Sequence, residues 1–520
     1  MKRRTFNKIL GYSTAASLLP AMASHSITAP ASNEDRPNIV FICSDNQSYL
    51  DAGYAGHSIL RTPNLDLIAR CGTIFSDAYC GSPVCAPARA CMMTGLYPSD
   101  NDSFCNATPW AGAHPTWGER LRAIGYHTRS LGKLDLHREH DTGFEEFEVR
   151  HGHDLNPDIT AFFRRPLCYR MGERLNVTGG IREQEHPDAS LARMAVRFIS
   201  EQAKDLQKPW ALYIGFSQPH VAYFERKGFL GLKKYWDLYP LEEIDLPQVP
   251  HDHLETQHMM FQALRQFKRL SQPISEEKIR RARAGYYAMI SELDEYIGWI
   301  WRALERSGEL ERTVFVFTSD NGILLGEHGL FYHNCLYERA VRVPLLLAGY
   351  GIPRGTVVDV PVSHVDLIAT LLHSAGIEPD SLRGHSLTSL MNGNRGSAPG
   401  FVYSESHSEG NCTGSFMIRQ GDWKYLHFTW YDDLLFNVRE DPGELVNRLN
   451  DTSVQGLKQQ LQRILRSVVD PGRVTRRAFR KQEMLLQRLV EQNSEQKLLE
   501  HFAFRLGKGQ AGALAAKLKG

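Results

Sequence analysis

The sequence predicts an α/β fold, with a large, mostly parallel sheet flanked by helices and a smaller C-terminal α+β domain. Two short segments, 37–43 and 313–318, are almost continuously apolar, as is typical of strands covered on both faces. Helical and strand-like patterns alternate between them, which favours a parallel sheet. After about residue 395 the pattern changes to short strands separated by turns.

The segments between the two apolar strands define the larger domain. In chain order, its predicted elements are a helix from Pro63, a helix from Thr116, strands at 126–131 and 210–216, and a long helix from about 276 to 305. Helices that follow strands in this way can return the chain across a face of the sheet. We therefore assign residues 34–395 to one large α/β domain.

The C-terminal part is predicted to be a small α+β domain with a helical tail, over 396–520. Short strands are predicted at 401–404, 416–419 and 423–426, followed by an amphipathic helix at about 454–468. Gly421-Asp422 lies between the last two strands, as a tight hairpin turn requires. The last fifty residues are basic and helix-prone, and we interpret them as a solvated surface rather than an arm exchanged with another copy.

Composition places the chain among folded proteins and gives few other clues. Hydrophobic residues make up 42% and charged residues 23% of 520 residues, and a net charge of +1 gives no indication of nucleic-acid binding. After the N-terminus, no apolar run is long enough to span a bilayer. Nine cysteines without a C-x-x-C pair argue against a structural zinc site, and any disulfide pairing is left open.

The N-terminus predicts export. Twin arginines, Arg3-Arg4, precede Phe6 and Lys8, and a modest apolar stretch and the small-residue pattern Ala21-Met22-Ala23 follow. This order is typical of a removable signal handled by the twin-arginine machinery, so residues 1–30 predict a periplasmic or secreted protein. A basic amphipathic first helix is the alternative.

Both apolar strands end in the same three residues, Ser44-Asp45-Asn46 and Ser319-Asp320-Asn321. In open α/β sheets, sites form beyond the carboxyl ends of the strands, where these side chains can converge. Carboxylate and amide oxygens suit a hard divalent cation, calcium or magnesium. The matched pair thus predicts a metal site, although a single Asp after a strand can simply form a turn or cap a helix.

The most specific motif is Cys85-Ala86-Pro87-Ala88-Arg89, with Thr94-Gly95-Leu96-Tyr97-Pro98 shortly after it. This extended pattern resembles the signature of the type I sulfatases, relatives of alkaline phosphatase. The resemblance continues in segments 36–40, 62–66, 132–133, 218–220, 319–330 and 337–345. Segments 44–47 and 116–118 and the pair Asp470-Pro471 look most similar to the choline-sulfatase-like branch.

The resemblance implies that a formylglycine-generating enzyme oxidises Cys85 to formylglycine (3-oxoalanine). Its hydrated aldehyde supplies the nucleophilic oxygen, and a second hydroxyl then expels sulfate, which a plain serine or cysteine cannot do. It also implies one divalent cation, calcium in preference to magnesium, held by residue 85 and by Asp45, Asn46, Asp320 and Asn321.

Three further residues take their roles from the same resemblance. Arg89 holds the hydrate beside the metal ligands, and Lys133 grips a sulfate oxygen. His220 binds the sulfate and protonates the leaving oxygen, as an imidazole with a pKa near neutrality can do.

The chain departs from the family pattern at three places. Asn46 replaces the second acid of the first strand end, which leaves the site with one negative charge fewer. Asp135 stands where the family has a histidine, so either Asp135 or His137 is expected to act as the base. His333 replaces a common lysine and is expected to bind sulfate.

These features predict a hydrolase of sulfate esters, acting on a sulfated carbohydrate such as a polysaccharide or on a small sulfate ester. Two alternatives remain open at this point, a phosphonate or phosphodiester hydrolase of the same superfamily and a catalytically dead protein that binds sulfated glycan. Specificity is expected in the loops at about 141–185 and 222–275, which carry no strong motif.

Overall fold

The computed structural model describes residues 35–150, 177–221, 228–250, 252–378, 381–408 and 410–519. The predicted export signal, Cys168 and parts of both predicted specificity loops lie outside these residues. The eight described cysteines are free thiols. Among the described helices, none combines the length and the apolar character that crossing a membrane would require.

In the described residues, the strands form one large sheet and four small ones. In chain order they are β1 Asn38–Ser44, β2 Gly72–Phe75, β3 Ala78–Tyr79, β4 His127–Lys133, β5 Glu145–Arg150, β6 Gly179–Arg182, β7 Trp210–Gly215, β8 Phe229–Leu232, β9 Thr313–Ser319, β10 Leu324–Leu325, β11 Phe331–Tyr332, β12 Arg342–Val343, β13 Leu345–Gly349, β14 Thr356–Val358, β15 Val362–Ser363, β16 Val402–Ser406, β17 Ser415–Gln420, β18 Trp423–Phe428 and β19 Leu434–Asn437.

Helices connect these strands and cover the large sheet. In chain order the described α-helices are α1 Pro63–Cys71, α2 Cys85–Thr94, α3 Pro98–Asn101, α4 Trp117–Ala123, α5 Asp188–Arg197, α6 Lys233–Trp236, α7 His253–Thr256, α8 Met259–Phe267, α9 Glu276–Ser307, α10 Glu338–Val341, α11 His364–Ser374, α12 Thr388–Met391, α13 Gln455–Val468, α14 Pro471–Gln492 and α15 Glu495–Lys519.

The large sheet has the strand order β14-β2-β13-β9-β1-β7-β4-β5. The run from β9 to β5 is parallel, which confirms the prediction of a mostly parallel sheet. Strand β13 runs antiparallel to both of its neighbours. The chain returns from β9 to β13 through short elements rather than a long crossover helix, and a parallel pair would need such a crossover.

Strand β1 lies at the centre of this sheet and is buried along its whole length. Ile39, Phe41 and Cys43 belong to the apolar core on one face, and Val40 and Ile42 belong to the core on the other. Alternate side chains point to opposite faces of a strand, so a strand covered on both faces needs a continuous apolar run. That requirement explains the pattern seen in the sequence.

The C-terminal sheet is antiparallel, in the order β16-β17-β18-β19, and α13 packs its apolar face against it. Gln420 pairs with Trp423, so Gly421-Asp422 forms the predicted two-residue turn, with Gly421 at φ 56°. The smaller α+β unit is thus confirmed, whereas its boundary near residue 395 stays a prediction.

The helical tail is more than a solvated surface, so that interpretation was wrong for one face of it. Leu498, Phe502 and Leu506 are buried and belong to the same apolar core as the large sheet. Their spacing of four residues places them on one side of α15. The basic composition of the tail concealed this stripe.

Candidate active site

The two Ser-Asp-Asn strand ends meet, because β1 and β9 are paired in register up to Ser44 and Ser319. The backbone N–H of Asn46 donates to Asp320 Oδ1 at 3.1 Å, and Asn321 Nδ2 donates to Asn46 Oδ1 at 2.7 Å. Asn46 adopts φ 66°, in the left-handed region that Asn tolerates better than most residues. Four of the five predicted metal residues, Asp45, Asn46, Asp320 and Asn321, therefore form one buried cluster.

Cys85 is the first residue of α2 and is buried beside this cluster. Its Sγ lies 3.8 Å from Asp45 Oδ1, and potential ligand atoms of Cys85, Asp45 and Asp320 lie within 4.8 Å of one another. Burial raises the pKa of the Cys85 thiol well above its usual value, although Lys133 opposes the shift. An unmodified thiol at this position stays protonated near neutral pH and is a poor nucleophile.

Arg89 lies one helical turn after Cys85, on the same face of α2, and is completely buried. Its Nε and Nη2 both lie 3.0 Å from Asp320 Oδ2. Its Nη1 donates to the carbonyl of Lys133 at 2.8 Å and to the Tyr213 hydroxyl at 2.9 Å. The guanidinium thus ties the end of β9 to the end of β4.

Lys133 is the last residue of β4, and its ammonium reaches the cluster. Nζ lies 2.5 Å from Asp45 Oδ2 and 3.1 Å from Asp135 Oδ2. Burial alone lowers the pKa of Lys133, but Asp135 and Asp45 outweigh it and raise that pKa well above its ordinary value. A permanent positive charge therefore lies next to Cys85.

Gly132 is required to bring Lys133 to this place. It has φ 79°, and a Cβ there would lie 2.2 Å from the carbonyl oxygen of Gly215 on the neighbouring strand. We expect Gly132→Ala to lower the free energy of unfolding by at least about 2 kcal/mol, through the combined cost of positive φ and the clash. Urea unfolding measures this loss.

Gly125 supplies the matched control, because it has φ 96° but a Cβ added there would meet nothing within 4 Å. Gly125→Ala then carries only the backbone cost, which is about 1 kcal/mol or slightly more. An equal loss in the free energy of unfolding in Gly132→Ala and Gly125→Ala would contradict a clash between the added Cβ and Gly215.

His220 and His333 also lie close to Cys85, and potential ligand atoms of the three residues lie within 4.8 Å of one another. His220 Nδ1 donates to the carbonyl of Val221 at 2.8 Å, which leaves Nε2 as the basic nitrogen of the neutral ring. His333 is buried, and burial, followed by Lys268, lowers its pKa well below the usual value. Its ring is therefore neutral near pH 7.

The two candidates for the base are placed differently. Asp135 is buried beside Lys133, and its Oδ2 lies 3.9 Å from Arg89 Nε. His137 instead accepts a hydrogen bond from the backbone of Glu139 at 3.3 Å and packs its ring against His140. The structure brings Asp135, and not His137, into contact with the cluster, while the assignment of the base stays a prediction.

Four residues without a role in the sequence interpretation form hydrogen bonds around the site. They are Tyr286, Asp51, Arg339 and Tyr213. Tyr286 donates from its hydroxyl to the carbonyl of Asn46 at 2.9 Å and to Asp51 at 3.0 Å. Arg339 Nη1 donates to Asp51 at 2.9 Å. Tyr213 offered one signal in the sequence, since a hydroxyl inside a buried strand must find a polar partner.

The cluster fits a hard cation. Asn321 Oδ1 is buried and has no hydrogen-bond partner among the described residues. Burial, followed by the charge of Asp45, raises the pKa of Asp320, so the two carboxylates favour a positive charge between them. Two carboxylate groups and an orphaned amide oxygen are donors that calcium and magnesium prefer.

His364, which packs against Thr318 near the end of β9, makes the stability of the fold depend on pH. It is fully buried, and its Nε2 lies 3.2 Å from the Thr318 hydroxyl, which itself donates to the carbonyl of Pro344. Burial lowers the pKa of His364 to about 4. This histidine resists protonation only in the folded state. The free energy of unfolding therefore falls as the pH drops below about 6.5, the pKa of histidine in the unfolded chain.

We expect His364→Gln, which keeps the donor at the Nε2 position, to remove this dependence. Between pH 6.5 and 5 the free energy of unfolding should fall by about 1.5 kcal/mol more in the unsubstituted protein than in the variant. Urea unfolding of both proteins at the two pH values measures the difference, in which all other titrating groups cancel. An equal fall in the free energy of unfolding in the two proteins would contradict the lowered pKa of His364.

Comparison with known families places this fold and site in one class. Residues 37–377 match the family model described as sulfatase. Residues 326–470 match the model described as N-sulphoglucosamine sulphohydrolase, C-terminal. The chain belongs to the sulfatase family, the type I sulfatases of the alkaline phosphatase superfamily. It is a sulfuric ester hydrolase.

Individual relatives agree with this assignment. The chain is 32% identical to arylsulfatase K of Danio rerio, covering 87% of this chain and 88% of the relative. It is 33% identical to choline-sulfatase of Rhizobium meliloti (strain 1021), covering 79% and 82%. These two similarities extend over most of each chain, which agrees with the family assignment.

Solved structures share the fold. The phosphonate monoester hydrolase of Agrobacterium radiobacter superposes with a TM-score of 0.68 at 23% identity, covering 83% of this chain and 95% of the other. A protein solved with its substrate D-glucosamine-2-N,6-O-disulfate superposes with a TM-score of 0.63 at 22% identity, covering 86% and 98%. At these sequence identities the similarity shows a shared fold and nothing further.

Proposed function

We propose that this sulfatase hydrolyses sulfate esters of carbohydrates through a formylglycine made from Cys85 and one divalent cation, calcium in preference to magnesium. The observation that carries the proposal is the buried position of Cys85 beside Asp45, whose carboxylate is paired with Lys133. When present, the aldehyde hydrate supplies a nucleophilic oxygen and the cation neutralises sulfate charge.

The cationic side chains of the chain bind the sulfate. A sulfate ester repels nucleophiles through its charged oxygens, and preorganised positive groups offset this charge most strongly in a buried site. Lys133 carries a permanent charge next to residue 85 and grips one sulfate oxygen. Arg89 is fixed by Asp320 and Tyr213, and so holds residue 85 and the carboxylates in position.

His220 transfers the proton to the leaving oxygen. Because its Nδ1–H is engaged by the carbonyl of Val221, the exchangeable proton is carried on Nε2. His333, which is neutral and buried beside it, orients the sulfate by hydrogen bonding rather than by charge. Asp135 is the candidate base, because it contacts Lys133 within the cluster.

The substrate class rests on the relatives. A structural neighbour was solved with D-glucosamine-2-N,6-O-disulfate as its substrate, and choline-sulfatase is a similar protein. A screen of defined sulfated sugars and choline sulfate for sulfate release tests the proposal, with the mass of the Cys85 peptide measured on the same sample. Turnover of choline sulfate alone would contradict a carbohydrate substrate. An aryl phosphonate compared with an aryl sulfate serves as the reaction control.

Removal of the cation is expected to lower activity by at least about tenfold. Calcium should restore the activity better than magnesium, because irregular carboxylate and amide ligands suit its flexible coordination. The matched variant is Asn46→Asp, which returns the missing negative charge and should tighten calcium binding by about tenfold or more. Calorimetric titration measures the affinity, and unchanged binding in the variant would contradict a role for residue 46.

We also propose export to the periplasm or the exterior by the twin-arginine machinery. The support is the basic start with Arg3-Arg4 and the following apolar stretch. Fractionation of cells that make the protein with Arg3→Lys and Arg4→Lys tests it. Unchanged export of this double variant would contradict the proposal.

A further inference from the structure

Cys85 lies at the junction of two different sets of metal ligands. One set contains the carboxylates of Asp45 and Asp320, and the other contains the imidazoles of His220 and His333. In each set, one potential ligand atom from every residue, that of Cys85 included, lies within 4.8 Å of the others. The atom carried by residue 85 therefore belongs to both sets.

We propose that the chain with unconverted Cys85 binds a zinc ion through Cys85 Sγ, His220 and His333. One thiolate and two imidazoles match the ligands that zinc takes in proteins, with a fourth position left for water. Tetrahedral zinc with bonds of about 2.0–2.3 Å holds its ligand atoms about 3.3–3.8 Å apart. Closing the observed spacing of up to 4.8 Å needs side-chain shifts of only about 1 Å.

The surroundings of the two histidines suit such a site. His220 donates its Nδ1–H to the carbonyl of Val221, the kind of outer hydrogen bond that orients zinc-binding histidines. His333 Nδ1 is buried and has no hydrogen-bond partner among the described residues. A buried imidazole nitrogen without a hydrogen-bond partner is a ligand that a zinc ion can take up.

Binding involves the loss of one proton. The Cys85 S–H bond breaks, its proton passes to solvent, and the sulfur pair forms the bond to zinc, without any change of oxidation state. The complex of a zinc ion with one thiolate and two neutral imidazoles carries one positive charge. The adjoining cluster has three carboxylates, of Asp45, Asp135 and Asp320, and two cations, Lys133 and Arg89, so its formal charge of −1 balances the complex. Zinc in this place would hold Cys85 in an inactive form.

Conversion of Cys85 would change the class of metal that the site accepts. Replacing sulfur by oxygen removes the soft ligand that the histidine set needs, and adds a hard oxygen to the carboxylate set. The inference concerns the unconverted chain, so it stands independently of the proposed formylglycine reaction and of any substrate.

Cobalt titration of the full chain tests the inference. The protein is made in cells without a formylglycine-generating enzyme, its Cys85 is confirmed by peptide mass, and metals are removed with a chelator. We expect one equivalent of Co²⁺ to give the near-ultraviolet thiolate-to-cobalt band and the visible bands of a tetrahedral ion. Zn²⁺ should then displace it and abolish both.

Variants identify the ligands. Cys85→Ser and His333→Gln should each lower the zinc affinity by more than about tenfold, because losing a ligand costs at least as much as losing an outer partner. Cys71→Ser is the matched control, since Cys71 is a partly exposed thiol outside the site, and it should bind as the unsubstituted chain does.

Absence of the thiolate band in the unconverted chain would overturn the inference. So would its survival in Cys85→Ser or its loss in Cys71→Ser. Sulfate release plays no part in this experiment, so a failed zinc site and a failed sulfatase mechanism give different results.

Discussion

Replacing Cys85 with alanine is expected to lower the rate of sulfate release by about 10⁴-fold or more, the scale on which loss of a nucleophile acts. Alanine cannot be converted to formylglycine and leaves no oxygen beside Asp45 and Lys133. The folded structure should persist, because the substitution removes one small buried sulfur. Steady-state sulfate release with the best substrate of the screen measures the effect.

Cys91→Ala is the control for this variant. Cys91 is also buried in α2, less than two turns further on, and contacts Gly81 rather than the carboxylate cluster. The same loss of a buried sulfur should leave its rate within a factor of about two of the unsubstituted enzyme, since core losses of this kind act on stability. Equal sulfate release by Cys85→Ala and the unsubstituted protein would disprove the formylglycine mechanism.

Arg89→Met is expected to be the most destabilising single change at the site. It would leave Asp320 and Asp45 buried without the guanidinium that now lies 3.0 Å and 3.9 Å from them. Removing one partner of a buried ion pair costs about 3–5 kcal/mol, because the remaining charge has no compensation. The urea midpoint should fall accordingly, and sulfate release should be lost.

Two further variants separate charge from geometry. Arg89→Lys keeps the positive charge but cannot donate at once to Asp320, Lys133 and Tyr213, so it should regain part of the stability and little of the activity. Arg354→Met removes an exposed arginine that pairs with Glu311, which should cost at most about 1 kcal/mol. Similar losses for Arg89→Met and Arg354→Met would contradict the role of burial.

The fold could be predicted from the sequence where a local pattern has one physical solution. A continuous apolar run of seven residues at β1 has to be covered on both faces, and Gly421-Asp422 between two short strands has to turn. The reversed direction of β13 had no such signal, because the direction of a strand depends on the route of the connection before it. The buried stripe of α15 was hidden by the charged residues around it.

The residues of the candidate site could be named from the sequence, but the contacts between their side chains could not be predicted. Asp135 and His137 are two positions apart and equally reasonable as a base. Only the structure turns Asp135, at φ 52°, towards Lys133 while His137 packs on His140. Tyr286 and Asp51 were missed, because contacts between distant segments leave no local pattern.

By itself, the sequence determined the family, the motif that begins at Cys85 and the matched strand ends at Asp45 and Asp320. These follow from local order, since each strand end and each helix start is specified by neighbouring residues. Only the tertiary structure decided that Lys133 pairs with Asp45 and Asp135, and that Cys85 belongs to both a carboxylate set and a histidine set. The reason is physical: charges and ligands act over a few ångströms in space, whereas Asp45 and His333, for example, are 288 positions apart in the chain.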